Sequence, residues 1–147
     1  MSDPRLRVLV VSQRRPRAFC AALEAAGVEV CAVVDDAAGA VDTAPHAHPD
    51  ACVVDADAAR DGDALATLTA VASGVPVVLA GAHPTDGELV DAFKAGASGY
   101  LAGDTPDGRL EPILRDAVSG RSAFPRRLDS ILLAAMRGAT SADRGGE

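Results

Sequence analysis

The sequence has no apolar run of the roughly 18–20 residues that a transmembrane helix needs, so we expect no membrane-spanning segment. Its first residues also lack an apolar stretch ending at a small-residue cleavage site, so we expect no signal peptide and a cytoplasmic location. The three cysteines, Cys20, Cys31 and Cys52, are not spaced like metal ligands. Each lies in an apolar segment and is expected to be a small buried side chain, with a redox role as the alternative.

Basic residues are scarce, because Lys94 is the only lysine and 14 Lys and Arg residues are outnumbered by 21 Asp and Glu residues. The net charge is −7. A domain that binds nucleic acid by itself normally carries a basic stripe. This sequence has only two short basic clusters, Arg14–Arg17 and Arg126–Arg127, so we expect no direct nucleic-acid binding. The three histidines have no partners at ligand spacing, and no metal site is expected from them.

What the sequence does contain is a regular alternation of strand-like apolar runs and helix-like stretches. The runs predict five strands, at Arg7–Val11, Val28–Val34, Ala51–Val54, Val75–Ala80 and Gly99–Ala102. The stretches after them predict five helices, at Pro16–Ala26, Asp36–Ala47, Asp61–Ser73, Thr85–Gly96 and Thr105–Ser119. Pro112 interrupts the last of these, so we expect ordered helix there only from about Glu111.

Strands and helices that alternate in this way form a parallel sheet with helices on both faces. In such sheets, functional groups gather beyond the carboxyl ends of the strands. Five residues fall at those ends and become the candidate site residues: Ser12, Gln13, Asp55, Gly81 and Gly103.

A further segment, Pro125–Met136, carries apolar residues at helical spacing on one face. They are Leu128, Ile131, Leu132, Ala135 and Met136. A free helix of this length is marginal in water, so it must pack, either against its own domain or against a second copy. The tail from Gly138 is small and polar and is expected to be disordered. The predicted organisation is therefore a domain over residues 1–122, a helix over 123–137 and a tail over 138–147.

Three motifs resemble the receiver domains of response regulators, in particular the NarL/FixJ type. Ala92–Leu101 (AFKAGASGYL) is similar to the family's A-x-x-A-G-A-x-G-Y-L signature. Pro49–Asp55 (PDACVVD) is similar to the strand that ends in the phosphoacceptor aspartate, and Gly120–Leu133 to the segment before the output domain. The resemblance implies a flavodoxin-like, doubly wound sheet of order 2-1-3-4-5. It also implies a helix-turn-helix output domain C-terminal to the receiver in a full-length protein.

The family's phosphoryl chemistry depends on five groups, and the resemblance places them on this sequence. An acidic pair that holds Mg²⁺ falls on Ser12 and Gln13, a hydroxyl residue on Gly81 and a lysine on Gly103. Only the acceptor, Asp55, is retained. Because Mg²⁺ prefers carboxylate and other hard oxygen ligands, we expect no appreciable Mg²⁺ binding and no other cofactor. The chemistry also needs charge neutralisation around the phosphoryl group, which these substitutions remove.

We therefore interpret the chain as a regulatory, non-enzymatic receiver-like domain that works without phosphorylation. Its input would be a small molecule, a partner protein or protein concentration. Asp55 would then cap or hydrogen-bond its loop, while Ser12 and Gln13 either line a ligand pocket or satisfy loop backbone groups. The alternative is an orthodox receiver phosphorylated at Asp55 by a histidine kinase, with Asp57 or Asp61 supplying a missing Mg²⁺ ligand.

The resemblance also suggests a homodimer, since receivers of this family often pair through symmetric surfaces. One such surface would include Phe93, Tyr100 and Leu110, with Tyr100 at the family's switch position and packing as its other possible role. The apolar face of the C-terminal segment would add Leu128, Ile131 and Leu132.

Overall fold

The computed structural model describes residues 5–13, 17–56 and 74–145. Within these ranges it has five strands: β1 Arg7–Val11, β2 Glu29–Val34, β3 Ala51–Asp55, β4 Val77–Gly81 and β5 Gly99–Ala102. It also has five helices: α1 Arg17–Ala25, α2 Ala37–Ala47, α3 Asp86–Lys94, α4 Asp107–Val118 and α5 Arg127–Gly145. The helix predicted at Asp61–Ser73 lies outside the described residues.

The strands form one parallel sheet in the order β2-β1-β3-β4-β5, which confirms the predicted doubly wound architecture. Val10 of β1 lies beside Val53 of β3, and Val53 lies beside Val78 of β4. These three valines are almost completely buried. Continuous apolar strands of this kind are expected when helices cover both faces of a parallel sheet.

Each face of the sheet has its own hydrophobic core. On one face, Leu23 of α1 and Leu114 of α4 pack on the sheet. On the other face the sheet is covered by Ala40 of α2, Leu89 of α3 and Leu128 of α5. The C-terminal helix is therefore part of the second core, and residues beyond 122 contribute to the folded unit.

Short polar residues begin two of the helices at the carboxyl edge of the sheet. The Asp36 carboxylate accepts a hydrogen bond from the Gly39 N–H at 2.8 Å, and the Thr85 hydroxyl accepts one from the Glu88 N–H at 3.1 Å. Both bonds satisfy a backbone donor that the first helical turn leaves unpaired. After α3 the chain turns at Gly96, whose φ of 97° is the left-handed conformation that glycine adopts readily.

Helix α4 begins at Asp107, so the prediction that ordered helix starts near Glu111 was wrong. Pro106 stands at the N-cap with φ −61° and ψ 144°, which fits its ring geometry. Pro112 lies in the second turn on the exposed side of the helix and removes only its own bond to the Gly108 carbonyl. The buried face of α4 contributes enough packing for the helix to continue through this defect.

The segment between α4 and α5 lies along the free edge of β5. The Tyr100 N–H donates to the Ala123 carbonyl at 3.2 Å, and Gly99 forms a parallel bridge with Ala123. A Cβ on Gly99 would lie 2.6 Å from the Ala123 carbonyl oxygen, so this close approach needs glycine. The Arg127 guanidinium donates to the Pro84 carbonyl and ties the start of α5 to the loop after β4.

Helix α5 packs against its own domain near its start and is exposed from Leu133 to Gly138. Leu128 is buried, and Ile131 and Leu132 pack half-buried against the core, so this part folds back on its own domain. Leu133 and Met136 are exposed. The helix continues to Gly145, through the part that was expected to be disordered, because a glycine inside a helix costs only about 1 kcal/mol. No helix in the described part of the chain combines the length and the apolarity needed to cross a membrane.

Candidate functional site

The parallel strands bring the sequence-predicted site residues to one edge of the sheet. Asp55 ends β3, Gly81 ends β4, and Ser12 and Gly103 directly follow β1 and β5. Asp55 lies beside Ala80, and Gly81 lies beside Ala102. Gln13 also lies at this edge, but its side chain is exposed.

Ser12 is held against Asp55 at the centre of this edge. Its side chain is only 2% exposed, and its hydroxyl donates to Asp55 Oδ2 at 2.7 Å. The Ser12 N–H donates to the Val34 carbonyl at 2.8 Å and fixes the residue at the end of β1. Asp55 is half-buried, so this hydrogen bond compensates part of the desolvation of its carboxylate.

The loops after β4 and β5 meet in a backbone contact. The Gly103 N–H donates to the Ala82 carbonyl oxygen at 3.1 Å. A Cβ on Gly103 would lie 2.7 Å from that oxygen and 2.8 Å from the Ala82 Cα. Since the obstacle is backbone, no side chain fits at position 103 unless the two loops move apart.

Comparison with solved structures identifies the fold around this edge, although no family model matches the chain. The signal receiver domain of NarL from Mycobacterium tuberculosis aligns with a TM-score of 0.68 at 23% identity, covering 81% of this chain and all of that one. A LuxR-family two-component response regulator from Aurantimonas sp. SI85-9A1 aligns with a TM-score of 0.72 at 18% identity, covering 90% of this chain and 98% of that one. At these identities the two structures establish the fold alone.

A curated sequence relative adds the family. The DNA-binding transcriptional activator DevR/DosR of Mycobacterium tuberculosis (strain ATCC 25618 / H37Rv) is 30% identical over 115 residues, which are 76% of this chain and 52% of that protein. The chain is a response regulator receiver domain of the NarL/FixJ type. This receiver spans about half the length of the curated relative that it matches.

The described residues at the receiver's carboxyl edge do not fit a magnesium ion, and the alternative ligands Asp57 and Asp61 lie outside the described residues. Where the family has an acidic pair, Ser12 offers a hydroxyl that is already bonded to Asp55, and Gln13 offers an amide on the surface. Within residues 5–13, 17–56 and 74–145, no group of three or more His, Cys, Asp or Glu side chains is placed to hold a metal. A lone carboxylate is a poor site for a hard dication. That Mg²⁺ binds poorly stays a prediction.

The structure separates the residues expected to form a dimer surface. Tyr100 is 2% exposed and packs in the core beneath α2, α3 and α5, whereas Leu110 is 4% exposed and packs in the other core. Neither Tyr100 nor Leu110 can line an interface in this conformation. Of the two roles considered for Tyr100, its burial favours packing in the core. Phe93 is 48% exposed and contacts Phe124 edge-on, with ring centroids 5.9 Å apart. Only Phe93 of the three is available to a partner.

A cavity of about 240 Å³ opens beside Asp55, between the sheet, α1 and α4. Phe19 and Ala22 of α1 and Leu110 of α4 form its walls, together with buried valine and leucine side chains of the sheet. Thr105 and Asp55 supply polar groups at the strand ends. The receiver therefore keeps a partly open space at the edge where its family carries out phosphoryl transfer.

The surroundings of the three cysteines disfavour their thiolate forms. Burial raises the pKa of the Cys52 thiol to about 12. Burial is also the main reason that the pKa values of Cys20 and Cys31 are raised. A thiol with a raised pKa holds little thiolate at neutral pH, and thiolate is the reactive form. The expectation of a buried side chain is met by Cys52, whereas Cys20 and Cys31 are only half-buried.

Sequence reasoning found the residues of this edge but missed how they interact. The Ser12–Asp55 hydrogen bond, the contact of Gly103 with Ala82 and the cavity depend on loop conformation. The adjacent glycine and alanine at positions 81 and 82 were the available signal, because small residues permit close backbone approach.

Proposed function

We propose that this receiver is the regulatory part of a transcription regulator and that it works without phosphorylation. The observation that carries the proposal is the closed backbone contact between Gly103 and Ala82, which leaves no room for the family's lysine. The curated relative is described as a DNA-binding transcriptional activator, which supports a role in transcription and an output domain in the full-length protein. Such a regulator would act in the cytoplasm, regulating rather than catalysing.

The electrostatics of the edge support the same conclusion. An aspartate that attacks a phosphoryl group needs positive charge around the phosphorus, because both partners are negative. Ser12 and Gly103 supply neither a cation nor a carboxylate that could recruit one. The Ser12 hydroxyl is neutral and already donates to the acceptor carboxylate at 2.7 Å. Asp55 is therefore kept as a hydrogen-bond acceptor that joins β3 to β1.

We further propose that the receiver forms a homodimer through the outer faces of α3 and α5. Phe93, Leu133 and Met136 are large apolar residues exposed on these two packed helices. Their charged neighbours have both signs, with Asp91 and Lys94 on α3. A mixed-sign rim favours a second copy, because a two-fold axis brings each acidic side chain towards its basic counterpart on the other copy. Leu133 and Met136 of α5 would gain packing in the dimer.

Analytical ultracentrifugation with beryllofluoride and Mg²⁺ tests both proposals. Beryllofluoride mimics the phosphorylated aspartate, so an orthodox receiver should change its association when the mimic is added. We expect the wild-type chain and Asp55→Asn to sediment identically with and without it, both as dimers. A Leu133→Ser, Met136→Ser double variant should sediment as a folded monomer, whereas an Ala134→Ser variant on the same helix should remain dimeric.

A shift of the wild type with the mimic, absent from Asp55→Asn, would establish the orthodox alternative. In that case Asp55 is phosphorylated by a histidine kinase and the carboxyl edge opens to admit the ion. A wild-type monomer under all conditions would instead contradict the dimer while leaving phosphorylation independence in place.

A further inference from the structure

The loop between β4 and α3 is held at two points by other parts of the receiver. At one point, the Ala82 carbonyl accepts the hydrogen bond of 3.1 Å from the Gly103 N–H. At the other, the Pro84 carbonyl accepts from the Arg127 guanidinium at the start of α5. A single exposed residue, His83, separates the two points. We expect a displacement of Ala82 to reach Pro84, because two residues apart in the chain leave little slack between them.

The contact with Arg127 satisfies a backbone group that lies inside the protein. Pro84 is a buried residue, and a buried carbonyl without a hydrogen-bond partner would destabilise the fold. Directly after it, Thr85 caps the start of α3. The Pro84 carbonyl precedes that helix and is not part of its hydrogen-bond ladder. The Arg127 guanidinium supplies the donor from another element.

The start of α5 is poorly stabilised by its own residues. Arg126 precedes the helix, and arginine is not among the residues that cap helix N-termini well. Arg127 is the first helical residue, so its positive charge lies at the positive end of the helix dipole. Helix stability therefore gives no reason for a cation at this position. The hydrogen bond to the loop after β4 does give one.

We propose that Arg127 is a latch that couples the position of the loop after β4 to the first turn of α5. While the loop is held against Gly103, the Pro84 carbonyl stays on the guanidinium and the first turn is closed. A partner or ligand that displaces the loop would withdraw this carbonyl and loosen the turn. The latch carries a change at the carboxyl edge to α5 whether or not Asp55 is phosphorylated.

Amide hydrogen exchange followed by NMR, on the full chain at one protein concentration, tests the latch with two reporters and one reference. The Ile131 N–H bonds to the Arg127 carbonyl in α-helical geometry and exchanges when the first turn of α5 opens. The Gly103 N–H exchanges when it separates from the Ala82 carbonyl. The His48 N–H, at the end of α2, is the reference, because its opening involves neither contact.

Arg127→Met removes the guanidinium and keeps an unbranched side chain. It should speed exchange at both Ile131 and Gly103 by at least about threefold, because neither opening then breaks a hydrogen bond of a charged donor. Exchange at His48 should not change. Arg126→Met is the matched control: it removes the same charge from the neighbouring exposed position and should not speed exchange at either reporter.

A double-mutant cycle tests whether displacement of the loop reaches Arg127. Gly103→Ala places a Cβ against the Ala82 carbonyl oxygen and should separate Pro84 from the guanidinium. In that background, Arg127→Met should therefore change exchange at Ile131 by less than about twofold, because the contact is already broken.

Faster exchange at Ile131 with unchanged exchange at Gly103 in Arg127→Met would overturn the latch, because the arginine would then stabilise only its own helix. Unchanged exchange at Ile131, or an equal effect of Arg126→Met, would overturn it as well. These comparisons need no substitution at position 103. An equal effect of Arg127→Met in the wild-type and Gly103→Ala backgrounds would also contradict the latch. None of these outcomes depends on the response to beryllofluoride.

Discussion

The contact between Gly103 and Ala82 predicts that even the smallest side chain at position 103 destabilises this receiver. In Gly103→Ala, the new Cβ would lie 2.7 Å from the Ala82 carbonyl oxygen, and the two loops must separate. Separation weakens the hydrogen bond of 3.1 Å between Gly103 N–H and that oxygen. A typical net hydrogen bond contributes about 0.5–1.5 kcal/mol. Forcing extra atoms into a packed site typically costs about 1–3 kcal/mol.

One effect opposes this cost. The φ angle of Gly103 is outside the left-handed range, so alanine can adopt the backbone conformation. Replacing such a glycine stabilises by about 0.4–1 kcal/mol, because the unfolded chain loses freedom. The net expectation, from the sum of these terms, is a decrease of about 0.5–4 kcal/mol in the free energy of unfolding.

Urea unfolding followed by far-UV circular dichroism measures this change. Protein concentration must be the same in every sample, because dimerisation makes apparent stability depend on it. Gly108→Ala is the matched control: it lies in α4, and apart from its chain neighbours and the backbone of its own helix nothing lies within 4 Å of the new Cβ. That variant should gain about 0.5–1 kcal/mol from helix propensity. If Gly103→Ala is as stable as the wild type or more stable, the loops after β4 and β5 do not exclude a side chain at position 103, and a lysine could be accommodated there.

Three further predictions follow from the same structure. Ser12→Ala should lower the free energy of unfolding by about 1.5–3 kcal/mol, because it removes a hydrogen bond to a carboxylate, and a change within about 0.5 kcal/mol would contradict the Ser12–Asp55 bond. Burial raises the pKa of Cys52 to about 12, so its thiolate is favoured only above that pH. At pH 8 the Cys52 thiol should therefore resist iodoacetamide in the folded chain and react once the chain is unfolded, which mass spectrometry of digests would measure. Leu128→Ala should lower the free energy of unfolding by about 2–5 kcal/mol, since Leu128 is buried in the core. Leu133→Ala, at an exposed position of α5, should change it by less than about 0.5 kcal/mol at a protein concentration too low for dimers; equal effects of the two variants would contradict the burial of Leu128.

Hydrophobic patterning was sufficient to predict the sheet. The runs at β1 and β3 are apolar on both faces, and this pattern indicates strands of a parallel sheet before any contact is known. Strand ends were less certain: β4 spans Val77–Gly81 instead of Val75–Ala80, because Pro76 has no N–H to donate to the ladder. The C-terminal helix was expected to end before Gly138, yet a single glycine is too weak a signal to end it.

The candidate site was harder to predict because its chemistry depends on distances between distant residues. Asp55 and Ser12 are 43 positions apart, and no local pattern shows that the serine hydroxyl reaches the carboxylate. The burial of Leu110 was missed for a similar reason, and for Tyr100 the sequence left packing and an interface role open. Motif position indicates where a residue lies in the chain, whereas exposure depends on which helices cover it. The resemblance identified the receiver family, and the structure added the contacts of Gly103 with Ala82 and of Ser12 with Asp55.

Phosphorylation independence is tested most directly by measuring the intact mass of the chain after incubation with acetyl phosphate and Mg²⁺. Acetyl phosphate supplies the phosphoryl group without a kinase, so the result depends only on the carboxyl edge of this receiver. We predict an unchanged mass for the wild type and for Asp55→Asn under conditions in which an orthodox receiver is phosphorylated. A mass increase of one phosphoryl group in the wild type, absent from Asp55→Asn, would contradict the account.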